Sequence, residues 1–360
     1  MAAALGGGPP NPSGAHRAAR HAAAVLDAAR HEIAGALGVS PRHVVLTGGG
    51  TESCALALLG VRRPSAVCVS TIEHVAVRRS AEVAASRSGV ALIELPVDAD
   101  GRLDVDMALD LVPDGALVSV MAANNETGVV QPVGELARRL RADRRIVLHS
   151  DAIAAASTRS LVDVATSVDL CSIAAHKVGG PPGVGVLVVP EDLDLEPVIP
   201  GGAQERGLRA GTQDVAGAAG MAAALTATDR ERREGAVEVL ARRRDVLGHA
   251  LARIEGVTIT GARVDRLAGH LHLTFPGLRS EEALLLLDRS GVAASAGAAC
   301  ASGAPQASHV LLAMGMDEHR ARSAIRLTLG VDTPEAAWDR LAIVLPEVLG
   351  SLVGGGRGVG

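Results

Sequence analysis

The chain has 360 residues, a formal net charge of −5 at neutral pH and 21% charged residues, with 48% hydrophobic content. That length exceeds one ordinary hydrophobic core and predicts two domains, while the acidic balance leaves no basic footprint for nucleic acid. Trp338 and Phe275 are the only aromatic residues, which excludes base-stacking platforms.

No apolar run reaches the roughly 18 residues of a membrane span, and the start lacks a basic leader region. The expectation is a soluble, cytoplasmic protein. The cysteines at 54, 68, 171 and 300 are widely spaced with no C-x-x-C, so neither a metal site nor a disulfide framework is indicated.

In chain order, Ala15 to Leu37 mixes small and charged residues on a helical period, and His43–Thr47 reads as a buried strand. Gly48-Gly49-Gly50-Thr51 then opens a helix running to about Gly60. A glycine turn between strand and helix presents backbone N–H groups and a hydroxyl where phosphate binds well. It is also a common structural turn. Further strands are expected at Ala66–Ser70, Val90–Leu95, Ala116–Met121, Arg145–His149 and Val168–Ile173, with helices at His74–Arg87, Val105–Leu111 and Val133–Arg141. This alternation predicts an α/β fold, a mainly parallel sheet flanked by helices.

Five positions in that alternation invite chemistry. His74, in Ser70-Thr71-Ile72-Glu73-His74, ends a strand, and in a chain almost without aromatics its ring is the obvious flat group to stack on a heterocycle and move protons. Asn124 and Asn125 follow the 116–121 strand; with Asn11 they are the only asparagines, and at that edge they could orient a small polar substrate as well as form a turn. Asp151 follows Ile146-Val147-Leu148, at the carboxyl edge where open α/β sheets place ligands. Lys177 is the only lysine against 34 arginines. Arginine keeps its proton, whereas a desolvated lysine amine deprotonates and can form an imine. A carboxylate at the edge and an imine-forming lysine one β–α–β unit later fit a pyridoxal phosphate site, where an acid pairs with the ring nitrogen.

Beyond Gly211 the texture changes. A charged helix is expected at about Asp229 to Ile254, then strands at Val257–Ile259, His270–Phe275 and Ile325–Leu329, and helices at Glu281–Arg289, Ser308–Met314 and Pro334–Leu349. The organisation read from this is a large domain over 11–232, a smaller α+β domain over 233–350, and a disordered Gly-rich tail over 351–360. Cys300 lies in a run of small residues that reads as a mobile loop, so its thiol is reachable, while Cys68 and Cys171 sit in strand-like runs. Arg326 interrupts an apolar strand and suggests a fork for a carboxylate.

Several motifs are specific: Asn11-Pro12-Ser13 with His16, Thr51-Glu52-Ser53, Glu73-His74, Asn124-Asn125-Glu126, and His176-Lys177 before Gly180-Pro181. The longest is Gly201 to Thr212, GGAQERGLRAGT, followed by Ser295 to Cys300 with Ser308-His309-Val310-Leu311. With these, the chain from Asn11 to about Leu349 resembles the cysteine desulfurases of the class V aminotransferase family, in their iron–sulfur-assembly branch. The resemblance implies the type I fold of pyridoxal-phosphate enzymes, a homodimer and transfer of sulfur from L-cysteine to an acceptor or scaffold protein. It implies that Lys177 holds pyridoxal phosphate, Asp151 pairs with its ring nitrogen, and His74 stacks and moves protons. Gly50, Thr51 and His176 would contact the phosphate, with Thr212 reaching it from the second subunit. Asn125 and Arg326 would hold the substrate carboxylate, with Asn11 also in the substrate set, and Cys300 would collect the sulfur as a persulfide.

Three departures stand out. Only Met1 to Pro10 precede the Asn-Pro-Ser motif, where the family has a longer lead. Ala154 stands where a glutamine usually bonds the ring oxygen, and Ala174 where a hydroxyl usually bonds the phosphate. The readings left open are another class V enzyme (selenocysteine lyase, C–S lyase or aminotransferase) and a non-catalytic scaffold.

Overall fold

The computed structural model describes residues 11–275, 279–296 and 307–355. It divides into two compact units. The first gathers the chain up to Leu95, Val105–Ala122 and Gln131–Arg230; the second gathers Pro96–Asp104, Ala123–Val130 and the chain from Glu231 onward.

In the first unit, α1 (Arg17–Leu37) buries Ala19, Ala22, Leu26, Ala29, Ile33 and Leu37 at helical spacing and ends at Gly38 in the left-handed region. Then come β1 (Val44–Thr47), α2 (Gly50–Gly60), β2 (Ala66–Ser70), α3 (Val75–Ser88), β3 (Ala91–Leu95), α4 (Val105–Leu111) and β4 (Leu117–Ser119). They are followed by α5 (Val133–Leu140), β5 (Val147–Asp151), α6 (Val162–Ser167), β6 (Leu170–Ala174), β7 (Gly185–Val188) and α7 (Val215–Arg233). The seven strands form one sheet in the order β1-β7-β6-β5-β4-β2-β3. β7 runs against both its neighbours, β1 and β6, and the remaining pairs are parallel. The mainly parallel sheet expected from the β–α alternation is therefore present. Strands buried on both faces, such as β2 (AVCVS) and β6 (LCSIA), explain the unbroken apolar runs. Cys54, Cys68 and Cys171 are all fully buried.

The second unit holds α8 (Ala236–Leu251), β8 (Thr258–Ile259), β9 (His270–Thr274), α9 (Ser280–Arg289), α10 (His309–Ala313), α11 (Glu318–Ala321), β10 (Ala324–Thr328) and α12 (Glu335–Gly355). Its sheet, β10-β9-β8, is antiparallel. Leu271, Leu273, Phe275, Ile325 and Leu327 form a core with Leu240, Leu247 and Trp338. On β9 the other face is polar but equally buried, with His272 and Thr274 fully enclosed.

Two expectations need correction. The single charged helix over 229–254 is two helices: α7 ends at Arg233 and α8 starts after Gly235, whose φ of +83° is a conformation that breaks a helix. The Gly-rich tail expected from 351 is still helical through Gly355, as a continuation of α12. Residues 356–360 lie outside the described residues. No described helix is long and apolar enough to cross a membrane.

Candidate active site

The carboxyl edge of the first unit's sheet collects six of the expected residues. After β1 the chain turns through Gly48 and Gly49, and Gly49 caps α2 at φ +131°, a conformation nearly closed to other residues. A side chain on Gly50 would meet Ile153 Cδ1 at 2.3 Å, and its Cβ would stand 3.4 Å from that of Ala174. Backbone can therefore approach closely here. Thr51 is exposed on the first turn of α2. Glu52 braces the turn from behind: Gly48 N–H donates to it at 2.8 Å and Arg209 Nε at 2.9 Å.

β2 ends at Ser70, so His74 lies beyond the strand and caps α3 instead of ending β2. Its Nδ1 accepts from Ala76 N–H at 3.2 Å, which in a neutral ring places the hydrogen on Nε2. Beside it Glu73 is fully buried and accepts the Met121 N–H at 2.7 Å. Burial, then the neighbouring Asp151 charge, push the Glu73 carboxyl well above its ordinary value.

Asp151 is the last residue of β5 and only 5% exposed. Ile153 N–H donates to its carboxylate at 2.9 Å. Desolvation raises its pKa to about 6, against the opposing pull of the Ile153 N–H, the Cys54 thiol and the Lys177 charge. On the adjacent strand Ser172 pairs with Asp151 in register; β6 ends two residues later at Ala174 and gives way directly to the 3₁₀ turn Ala175–Val178 that presents His176 and Lys177 outward. The burial of Asp151 and the amine beside it come from the same strand pair. His176 has its pKa lowered, by desolvation and then by Lys177.

Thr212 is exposed at the end of a loop over 201–212 that is held down internally. Glu205, in left-handed backbone at φ +48°, takes both guanidinium nitrogens of Arg30 at 2.9 and 2.8 Å, the Leu46 N–H at 2.8 Å and the Gln213 amide at 3.2 Å. Four donors on one buried carboxylate offset its desolvation and leave Thr212 facing solvent. Asn11 is exposed and closes the turn before α1, accepting from Ser13 N–H at 3.0 Å; the structure does not join it to the other candidates.

The second unit joins the other two. Arg326, half-buried on β10, donates from Nη1 to the backbone carbonyl of Asn125 at 2.9 Å. That is the only hydrogen bond of its guanidinium among the described residues, and no carboxylate there lies within ion-pair distance. A desolvated planar fork whose remaining donors are unengaged among the described residues is suited to a carboxylate. Cys300 lies outside the described residues.

Sequence reasoning did not single out the polar chain behind Asp151. Ser119 Oγ and Ser172 Oγ bracket His149 at 2.8 and 2.9 Å. Burial lowers the His149 pKa to about 3, so the ring is neutral. Its signal was a histidine two residues before the aspartate inside an apolar strand.

Comparison with known proteins places the chain in a family. The family model described as "Aminotransferase class-V" matches residues 8 to 341. An "IscS-like cysteine desulfurase" of Mycobacterium tuberculosis is 41% identical over 349 residues, covering 93% of this chain and 88% of its own length. A "Cysteine desulfurase" of Cereibacter sphaeroides is 39% identical over 355 residues, with 95% and 89% covered. Among solved structures, a "NIFS-LIKE PROTEIN" superposes with a TM-score of 0.86 at 32% identity, covering 94% of this chain and 91% of that one. A sheet edge carrying Asp151 and the lone Lys177, a glycine cradle at Gly48–Gly50 and a family match over nearly the whole chain lead to one conclusion: the chain belongs to the class V aminotransferase family.

Proposed function

We propose that the protein is a pyridoxal-phosphate-dependent cysteine desulfurase, acting in the cytoplasm as a homodimer, that converts L-cysteine to L-alanine and hands the sulfur to an acceptor protein. The observation that carries this reading is the placement of the chain's single lysine beside a buried carboxylate at the end of the neighbouring strand. The names of the relatives in the comparison point the same way.

The residues suit the cofactor. Asp151 is a dry carboxylate held near a cation, the kind of group that pairs with a protonated ring nitrogen. A pyridinium there would bring its pKa down from about 6 and keep it ionised. At this turn Gly50 has no room for a side chain and Gly49 sits at φ +131°, so the turn offers bare backbone N–H groups to an anion. When bound, pyridoxal phosphate supplies the electron sink for bond changes at the substrate's α- and β-carbons. Lys177 anchors it covalently and moves protons, His74 covers the ring and carries a proton on Nε2, and Thr51 and His176 bind the phosphate, with Thr212 offered to the second subunit. Arg326 and Asn125 take the carboxylate of L-cysteine. Cys300 accepts the sulfur: the substrate's C–S bond breaks, a thiol on the enzyme becomes a persulfide, and alanine leaves with the thiol's proton replacing sulfur on carbon.

The test is release of alanine from L-cysteine with one persulfide per chain. Cys300→Ser should keep the cofactor's absorbance and lose turnover; full turnover in that variant would end the reading.

Ala174 makes a second, independent test. Its methyl faces Gly50 at the phosphate turn, where family members usually place a hydroxyl. Ala174→Ser should tighten equilibrium binding of pyridoxal phosphate about tenfold, the value of one hydrogen bond to a charged group. Fluorescence titration of the cofactor-free protein measures it, and unchanged or weaker binding would show that the phosphate does not lie at this turn.

A further inference from the structure

The turn that carries Asn125 is shaped by Asn124. Asn124 Oδ1 accepts the backbone N–H groups of Glu126 at 3.0 Å and Thr127 at 2.9 Å, and the Thr127 hydroxyl at 3.1 Å. Gly128, at φ +77°, closes the loop with its N–H on the Asn124 carbonyl at 2.9 Å. Local geometry is thus satisfied without the side chain of Glu126.

That side chain nevertheless leaves the turn and is 3% exposed. Glu126 Oε2 accepts from Ser308 Oγ at 2.6 Å, and Ser308 Oγ in turn accepts the Leu311 N–H at 3.3 Å, capping α10. Arg326 is tied to the same turn through the Asn125 carbonyl, and its backbone pairs with Ser295 in both directions, at 3.1 and 2.6 Å. Arg326 and His309 are the cations facing Glu126; burial raises its pKa, and Ser308 and these two charges oppose the rise. Burying a carboxylate is costly and is offset only by the hydrogen bonds and charges that meet it.

We propose that Glu126 is a positioning residue for the substrate carboxylate: by gripping Ser308 it fixes the turn in the register at which the Asn125 carbonyl aims the Arg326 guanidinium. The proposal rests on Arg326 receiving the substrate carboxylate, as in the function above. An alternative role, plain neutralisation of Arg326, has the opposite signature. A neutralising charge weakens carboxylate binding, so removing it would strengthen binding in Ala and Gln variants alike. A positioning group is replaced by glutamine, whose amide oxygen still accepts from Ser308, and is lost with alanine.

The experiment is calorimetric titration of the cofactor-loaded protein with L-alanine, which needs no turnover. Glu126→Ala and Ser308→Ala should each weaken binding about tenfold, and the double variant should be no weaker than either single one. Glu126→Gln should bind within twofold of the native protein or tighter. Cofactor content and absorbance should be unchanged in all four. Binding within twofold in Glu126→Ala, tighter binding there, or multiplying losses in the double variant would overturn the positioning role. Parallel loss of alanine affinity and cofactor content in Glu126→Ala marks general unfolding, and Ser308→Ala and Glu126→Gln then decide by the same criteria. Arg326→Ala separates the two layers. If it binds alanine normally, the carboxylate assignment itself falls; if it loses alanine while Glu126→Ala does not, only the positioning role falls.

Discussion

Lys177→Ala should abolish alanine release from L-cysteine, and Lys177→Arg should be equally inactive. The loss expected from removing a positioned proton carrier alone is about 10²–10⁴-fold, before the loss of covalent anchoring is counted. Arginine restores the charge beside Asp151 but not a deprotonatable amine, so a charge-only role for Lys177 predicts recovery in the arginine variant. The direct measurement is mass spectrometry after borohydride reduction and denaturation. The native chain should carry the cofactor's added mass on the peptide containing Lys177, and neither variant should. Retention of more than a tenth of native turnover in Lys177→Ala would remove the basis of the proposed function, because the composition provides no second lysine to substitute.

The same lysine shows how far the sequence could be read. A primary amine surviving among 34 arginines is visible without coordinates, and Asp151 is visible because a carboxylate at the end of VLHSD breaks a buried strand. The parallel core of the sheet is legible for the same reason, as apolar runs separated by helical spacing. β7 is not: it lies between Pro181-Pro182-Gly183 and Pro190, punctuation that reads as loop, and it is a strand because β1 and β6 pair with it on either side. α7, rich in Ala and Gly, likewise lacks a polar face to mark its period. His74 was legible as a residue but not as a helix cap, since Ser70 and His74 are separated by a turn that only the coordinates define. Asn125 was chosen for its side chain, whereas its carbonyl holds Arg326. Nothing in the sequence signals that Pro96–Asp104 and Ala123–Val130 join the second unit, because such membership depends on contacts more than a hundred residues away. The Val130 N–H, for example, donates to the Asp265 carbonyl at 2.8 Å. That Glu126 and Ser308, 182 positions apart, meet is invisible in the sequence for the same reason.

Asp151→Asn should separate what this site costs the fold from what it gives the cofactor. In the cofactor-free protein the folded-state pKa of Asp151 is raised from 3.8 to about 6, so between those values the folded state holds more protons than the unfolded one. Stability then falls as pH rises from about 4 to about 6, and the penalty persists above that window. At 1.36 kcal/mol per pH unit the penalty is about 3 kcal/mol. Asparagine can keep the Ile153 N–H bond through its carbonyl oxygen while removing the buried charge and its repulsion of Glu73. The cofactor-free variant should therefore melt about 6–12 °C above the native chain at pH 8, with the difference vanishing near pH 4, where the native carboxyl is itself neutral. In the loaded protein the order reverses. Losing an ion-paired hydrogen bond to a ring nitrogen should weaken cofactor binding by about 10- to 150-fold, and turnover should fall further as the ring loses its proton. Melting curves with and without pyridoxal phosphate across pH 4–8 check both halves. A variant no more stable than the native chain at pH 8 would mean that Asp151 is solvated despite its 5% exposure, and one that binds the cofactor as tightly would mean that another group meets the ring nitrogen. The predicted sign change is a consequence of where the strand ends: a carboxylate one residue beyond His149-Ser150 is dry enough to destabilise the empty fold, and that dryness is what makes it a strong partner for a cation placed against it.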